Sequence, residues 1–398
     1  MHRHPSPFHR PGSCPAPRRL ARALLPCAVA MFTPVTVAAP DAGLTVGGAI
    51  RFNYAYKDWD PAYRSGGLID FDTARIDVNY DRDAWLGSFQ YRYYRYRGGA
   101  DTHFLHHAWI GYRFDDSTQV HAGVNPIPFG ILPFASHNFY FSLPYYVGLE
   151  DSYNLGVKLI HRAGPLDLQA GFYPSDGGNW RGDSDDSARY TYNIVEEGAV
   201  RNSERNTFVA RAAWTVEHAP SMKSEFGLSA LHGSIPNADT GRKGHREAWA
   251  LHLKGDYGPW GVMLQTGRYD NSLRNPAGQD DRIVVMGAYD FPYEVAARAR
   301  MHIANLSYRV QQDAGLLKSV TLYANYSVID KLDAGFRNTH QQVYGFSFAP
   351  VDGVFVYVDY LLGKQNPYVG PNFGNGLAGG GADDSWHERF NINVGYYF

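Results

Sequence analysis

The sequence predicts an all-β protein: a transmembrane antiparallel β-barrel of about 16 strands, with 18 as the rival count and a third long loop folded into the lumen. Three observations lead there. Apolar residues recur at every second position in segment after segment, as expected of strands with lipid on one face and water on the other. Short turns and long polar connections take turns between these segments, the asymmetry of a barrel with one smooth and one looped end. No run of about 18 apolar residues follows position 39, so helical spans are excluded, whereas strands escape that test because their two faces average out.

The amino-terminal segment supplies an export address. Residues 1 to 22 contain Arg3, Arg10, Arg18, Arg19 and Arg22 and no acid; 23 to 32 are mostly apolar, and 33 to 39 are small and uncharged. This pattern reads as a secretory signal peptide with a long basic leader. Thr36 and Ala38 are small enough to place cleavage after Ala38, giving a signal peptide over 1–38 and a barrel over 39–398. Cys14 and Cys27 leave with the leader, so the mature chain is expected to use neither thiol chemistry nor disulfides. It keeps 32 basic residues against 39 acidic, a net charge of −7, which implies no nucleic-acid partner. About 360 residues would suggest two or three ordinary domains, but a barrel grows by adding strands and stays one.

Alternation runs from Leu44, Val46, Ile50 and Phe52, through Ala74, Ile76, Val78 and Tyr80, to Val354, Val356, Val358 and Tyr360. Seven tight turns follow from Asp81-Arg82-Asp83, Asp115-Asp116-Ser117, Ala163-Gly164-Pro165, Ala219-Pro220-Ser221, Tyr257-Gly258-Pro259, Asp313-Ala314-Gly315 and Pro350-Val351-Asp352-Gly353. Eight longer segments lie between them, which gives the count of 16. Ile283 to Tyr289 also looks like a strand, but placing it in the wall breaks the exchange of short and long links. It is assigned to the sixth or seventh long loop as an extra hairpin or lumen-folded piece; 18 strands would need a further turn near Pro292. At the end of the sequence Phe390, Ile392, Val394, Tyr396 and Phe398 form one oily face, with Arg389, Asn391, Asn393 and Tyr397 opposite. That strand must pair with the one near Leu44 to Phe52, removing both edges.

The segment from Asn125 to Asp151 is too apolar to hang in water. Its prolines, Pro126, Pro128, Pro133 and Pro144, stiffen it, and its aromatics suit an inner wall. As the third long link it is expected to narrow the lumen, with Pro128, Phe129, Gly130, Pro133, His137, Glu150 and Asp151 as its candidate functional residues. Packing as an outer loop against a neighbouring subunit is the alternative. Strand parity assigns Arg51, Lys57, Arg75, Arg92, Arg113, Lys158, Arg162, Arg211, Arg246, Lys254, Arg309 and Arg389 to the inner face, against Asp77, Asp167, Glu217, Glu225 and Asp359. A basic excess in a confined lumen raises the local anion concentration. The same cations could instead hold loops in place.

Other constellations carry less. Tyr91 to Arg97 alternates aromatic and basic residues at the outer end of the third strand, where an aromatic girdle facing lipopolysaccharide is expected. Tyr94, Trp109, Tyr173, Tyr323 and Tyr357 point inward and could stack sugars. His103, His106 and His107 resemble a ligand cluster, but strict alternation puts His103 and His107 on one face, roughly 13 Å apart, and His106 on the other. No metal, cofactor or catalytic set is expected, although Ser229, Ser234 and the histidines are ingredients of barrel enzymes.

The terminal aromatic Phe398 resembles the signal by which bacterial outer-membrane barrels are recognised for assembly. Pro128-Phe129-Gly130 in the third long loop resembles the phosphate-selective porin O and P family. These resemblances imply an outer-membrane porin that engages the barrel assembly machinery through Phe398, contacts membrane lipid and lipopolysaccharide, and forms a homotrimer. The expected activity is passive diffusion of small hydrophilic solutes with an anion bias. A sugar or aromatic-solute channel is the alternative, with a barrel enzyme acting on lipid or protein behind it.

Overall fold

The computed structural model describes residues 37–38, 43–97, 99, 101–311, 315 and 317–398. The expected leader, its cleavage site and the turn residues Asp313 and Ala314 fall wholly or mostly outside the described residues. Sixteen strands form the wall: β1 Leu44–Lys57, β2 Leu68–Arg82, β3 Trp85–Arg95, β4 Asp101–Arg113, β5 Thr118–Pro126, β6 Tyr153–Ala163, β7 Leu166–Ser175, β8 Arg205–Ala219, β9 Met222–Pro236, β10 Lys243–Tyr257, β11 Trp260–Ser272, β12 Arg298–Arg309, β13 Lys318–Lys331, β14 Thr339–Ala349, β15 Val354–Lys364 and β16 His387–Tyr397. Each pairs antiparallel with its neighbour in sequence.

The wall closes where β16 meets β1, in register from Ala49 opposite Tyr397 to Lys57 opposite Arg389. Phe398 extends this seam: its carbonyl accepts from Gly48 N at 2.9 Å and its N–H donates to Gly48 O at 3.1 Å. A Cβ on Gly48 would lie 2.4 Å from the Arg75 carbonyl and 2.8 Å from the Phe398 ring, so only glycine admits both neighbours. Val37–Ala38 pairs with Thr45 and Val46 beside the same seam.

Alternation sets the two faces of every strand. Val394 and Tyr396 are exposed on β16 while Asn391 and Asn393 are buried, and the pattern repeats with exposed Leu155, Val157 and Leu159 on β6 and exposed Phe226 and Leu228 on β9. An apolar outer belt over a polar interior is the arrangement that lipid requires. Seven short links lie at the end that holds the seam's terminal residue, and eight longer loops lie at the other: loop 1 (58–67), loop 2 (96–100), loop 3 (127–152), loop 4 (176–204), loop 5 (237–242), loop 6 (273–297), loop 7 (332–338) and loop 8 (365–386).

The rival count of 18 fails for a physical reason. Ile283–Ala288 does pair with Phe291–Ala296, but this hairpin joins Asn193–Ile194 of loop 4 in a separate three-stranded sheet and makes no ladder with the wall. It is an extra hairpin of loop 6.

Candidate functional site: the lumen and its third loop

Loop 3 lies inside the barrel. Of residues 127–152 only Pro133 is exposed, and the segment follows the inner wall from β8 to β16. Near its start, Gly130 adopts a left-handed backbone (φ 66°) against Gln265. Gly130 N donates to Ser229 Oγ on β9 at 3.0 Å and Ile131 N to Gln265 Oε1 on β11 at 3.0 Å. Ile131 and Ala135 pack with Met263 and Ile303. Further on, His137 N donates to Asn325 Oδ1 on β13, Phe139 N to Asp359 Oδ2 on β15, and Tyr140 Oη to Asn391 Oδ1 on β16. The return limb carries a 3-10 turn, Leu143–Val147, fully buried, with Leu143 N donating to Ser327 Oγ. The proline and aromatic content read from sequence thus serves an inner-wall strap: prolines limit the backbone freedom to be lost, and rings fill the space against the wall.

Of the loop's two carboxylates, Glu150 holds the loop together and Asp151 ties its end to loop 4 and β6. Glu150 is 3 % exposed and accepts from Ala135 N at 2.9 Å, Ser142 N at 3.2 Å and Ser136 Oγ at 3.3 Å, tying the descending limb to the returning one. Burial pushes its carboxyl up to about 7. Asp151 accepts from the hydroxyls of Tyr190 and Tyr153, and burial raises it to about 6.

The basic residues assigned to the inner face divide into three groups. Arg211 Nε donates to Gly130 O at 2.9 Å and Lys254 Nζ to Leu132 O at 2.8 Å in loop 3, and Lys158 Nζ to Pro126 O at 2.8 Å where β5 runs into it. Arg246 joins them through Val147 O at 2.7 Å and an ion pair with Glu204 of loop 4. These four contact the loops, through backbone carbonyls as well as carboxylates. Arg211 also pairs with Glu225 at 2.5 Å.

The second group sits together on four consecutive strands, β16, β1, β2 and β3. Arg75 faces Arg92 directly across the β2–β3 ladder. Arg51 pairs with Asp72 at 2.8 Å and Arg75 with Asp77 at 3.0 Å. The described polar partners of Arg92 are neutral, Gln90 Oε1 at 2.6 Å and Tyr94 Oη at 3.3 Å, and its guanidinium stacks 4.6 Å from the Tyr190 ring. Arg389 likewise donates to Tyr368 O and lies 4.5 Å from the Tyr140 ring. Lys57 covers the Tyr63 ring at 3.7 Å. In the third group, Arg113 and Arg162 pair with Asp81 and Asp167 near the smooth end, where Arg309 is exposed.

Two bulges shape this part of the wall, and sequence alternation missed both. Between Arg51 and Phe52 the β1–β2 register slips by one, so Asp72 turns inward next to Thr73 and reaches Arg51. The β4 register slips beside His106, which corrects the histidine assignment: His106 and His107 lie side by side, Nδ1 to Nδ1 at 2.7 Å and both against Tyr153, while His103 bonds Tyr91 Oη at 2.6 Å. An inserted residue reverses side-chain parity beyond it. Neither bulge carries a glycine or proline that would announce it.

The remaining candidates are committed to the wall. Tyr173 donates to Asn125 Oδ1, Tyr323 to Asp359 Oδ1, and Trp109 stacks on His121 at 3.9 Å. They do not form a continuous track. The run from Tyr91 to Arg97 splits between faces, with Arg92 and Tyr94 buried inward and Arg95 exposed. Ser229 is fully buried beneath Gly130.

The barrel, its apolar belt and its infolded third loop define a transmembrane β-barrel with the fold of bacterial outer-membrane porins. The sequence matches no protein-family model and no curated protein. Solved structures share the fold: an anion-selective porin from Comamonas acidovorans (12 % identity, 89 % of this chain and 99 % of that chain, TM-score 0.58), the outer membrane channel DcaP of Acinetobacter baumannii (10 %, 90 % and 98 %, 0.55), and a trimer form of OmpT, an outer membrane protein of Vibrio cholerae (12 %, 89 % and 99 %, 0.52). At such identities the likeness is one of architecture.

Proposed function

We propose that the protein is a water-filled channel for passive diffusion of small hydrophilic solutes, and that it favours anions. One observation carries the anion bias. The guanidinia of Arg51, Arg75, Arg92 and Arg389 form ion pairs with two carboxylates, Asp72 and Asp77, while Glu150 is turned into loop 3 and Asp151 is taken up by the hydroxyls of Tyr190 and Tyr153. A positive wall without an opposing negative one enriches anions where screening is weak. The anion-selective porin that shares the fold supports the same direction, and the Pro128-Phe129-Gly130 resemblance supports assembly as a homotrimer.

Reversal potential under a salt gradient across a planar bilayer tests this reading. A potential of the sign for chloride permeation is expected. A cation-selective pore, or no conductance from folded protein, sinks it.

A further inference from the structure

Beyond loop 3, the outer mouth holds a second structure built from loops 4, 6 and 8. Asn193–Ile194 of loop 4 forms one edge of the sheet completed by the loop 6 hairpin. Loop 8 joins on the other side, where Ala296 N donates to Leu377 O and Glu294 N to Gly374 O, both at 2.8 Å. Ile194, Val195 and Val295 have no exposed surface and Leu377 has 1 %, so the three loops share a core, which continues into Leu143 and Tyr146 of loop 3. Hydroxyl contacts lock it: Tyr192 to Tyr368 at 2.5 Å links loops 4 and 8, and Tyr145 to Tyr289 at 2.5 Å links loops 3 and 6.

The assembly is fastened around the whole circumference. Asp290 accepts from Thr102 on β4 at 2.8 Å, and Asn193 donates to Asn154 on β6. Glu204 pairs with Arg246 on β10. Gly376 O accepts from Lys331 on β13 and Thr339 on β14, and Tyr368 O from Arg389 on β16. A 16-stranded wall is too wide for its own side chains to fill. A body attached to strands on opposite sides of such a wall crosses the opening, and its tyrosines Tyr192 and Tyr293 are buried within it.

We propose that loops 4, 6 and 8 form a fixed cap across the outer mouth, braced from below by loop 3, that sets the size limit of the channel separately from the basic strip. This rests on the channel reading above. The charge preference and the size limit then have different owners: arginines on β16 to β3 for the first, the cap for the second.

The test replaces Ile283 to Ala296 with a two-glycine link and measures single-channel conductance with polyethylene glycols of graded size added to either side. Conductance is expected to rise about twofold, larger polymers to enter from the loop side, and the reversal potential to stay where it was. A folded variant with unchanged conductance and polymer limit overturns the proposal. Tyr192→Ala with Tyr289→Ala, which keeps the backbone, is the companion variant, and the same two outcomes decide. Conductance from the variants alone supports the cap across the mouth and overturns the reading of the wild type as an open channel. Silence from all three proteins overturns the channel reading and the cap with it, whereas a normal wild-type current with an unmoved polymer limit overturns the cap alone.

Discussion

Arg211 on β8 donates Nε–H to the carbonyl of Gly130, 2.9 Å away, and so fixes the start of loop 3 to the wall. The same guanidinium meets Glu225, which also receives His252 Nε2 at 3.1 Å. Arg211→Ala therefore loosens the loop and leaves a half-buried carboxylate with one partner. A loss of about 1–3 kcal/mol follows from such a removal, read as a lower transition temperature in the heat-dependent electrophoretic shift of the folded barrel. Open-channel current noise should rise with it.

Arg75→Glu combined with Arg92→Glu reverses two adjacent inner charges while sparing every contact to loop 3. The reversal potential should move toward cations with conductance of the same order. An unmoved potential would assign selectivity elsewhere on the wall.

Removing Pro133 to Pro144 cuts away the part of loop 3 that passes β12 to β16. Conductance should increase if this strap narrows the channel. An unchanged value would mean that the narrowest point lies at the cap.

Glu150 gives the loop a pH dependence with a definite sign. Its carboxyl is raised from 4.5 to about 7 in the folded protein, so burial of the charge opposes folding above pH 7, and that opposition is relieved as pH falls from 7 toward 4.5. Once protonated, the carboxyl still accepts from Ala135 and Ser142 and can donate to Ser136 Oγ. Loop 3 should be quieter at pH 5 than at pH 8, and Glu150→Gln should flatten that difference in current noise. A pH response that survives the substitution would place its origin in another group.

Gly48→Val addresses closure. Its side chain would collide with the Arg75 carbonyl and the Phe398 ring, so the folded fraction in an assembly assay should fall. Ala49→Val, one position along the same strand, changes the inner face instead and serves as the comparison.

Strand number, turn positions and the seam were legible in the sequence because lipid imposes a two-residue period and the two ends of a barrel impose different link lengths. Loop 3 was legible in part: a proline-rich oily segment must be covered, and the sequence left two covers for it, the lumen and a neighbouring subunit. What escaped was decided by geometry with no local signature. The bulges at Asp72 and His106 reverse parity without a glycine, so His106 and His107 became neighbours instead of opposites. The partners of Lys158, Arg211 and Lys254 are backbone carbonyls, which exist at every residue and mark nothing. The cap unites loops 4, 6 and 8, whose common core depends on contacts across more than a hundred positions, such as Tyr192 with Tyr368.

Tyr140 and Asn391 are separated by 251 positions, Phe139 and Asp359 by 220. Contacts this remote form after local hairpins have zipped, and these in particular need β15 and β16 in place. The far limb of loop 3 is therefore held by the last two strands of the chain, whereas Gly130 at its near end is held by β8 and β9. The strap thus joins the middle of the chain to its carboxy-terminal end across the lumen, and a fault in the closing strands would reach the channel as a loose loop as well as an open wall.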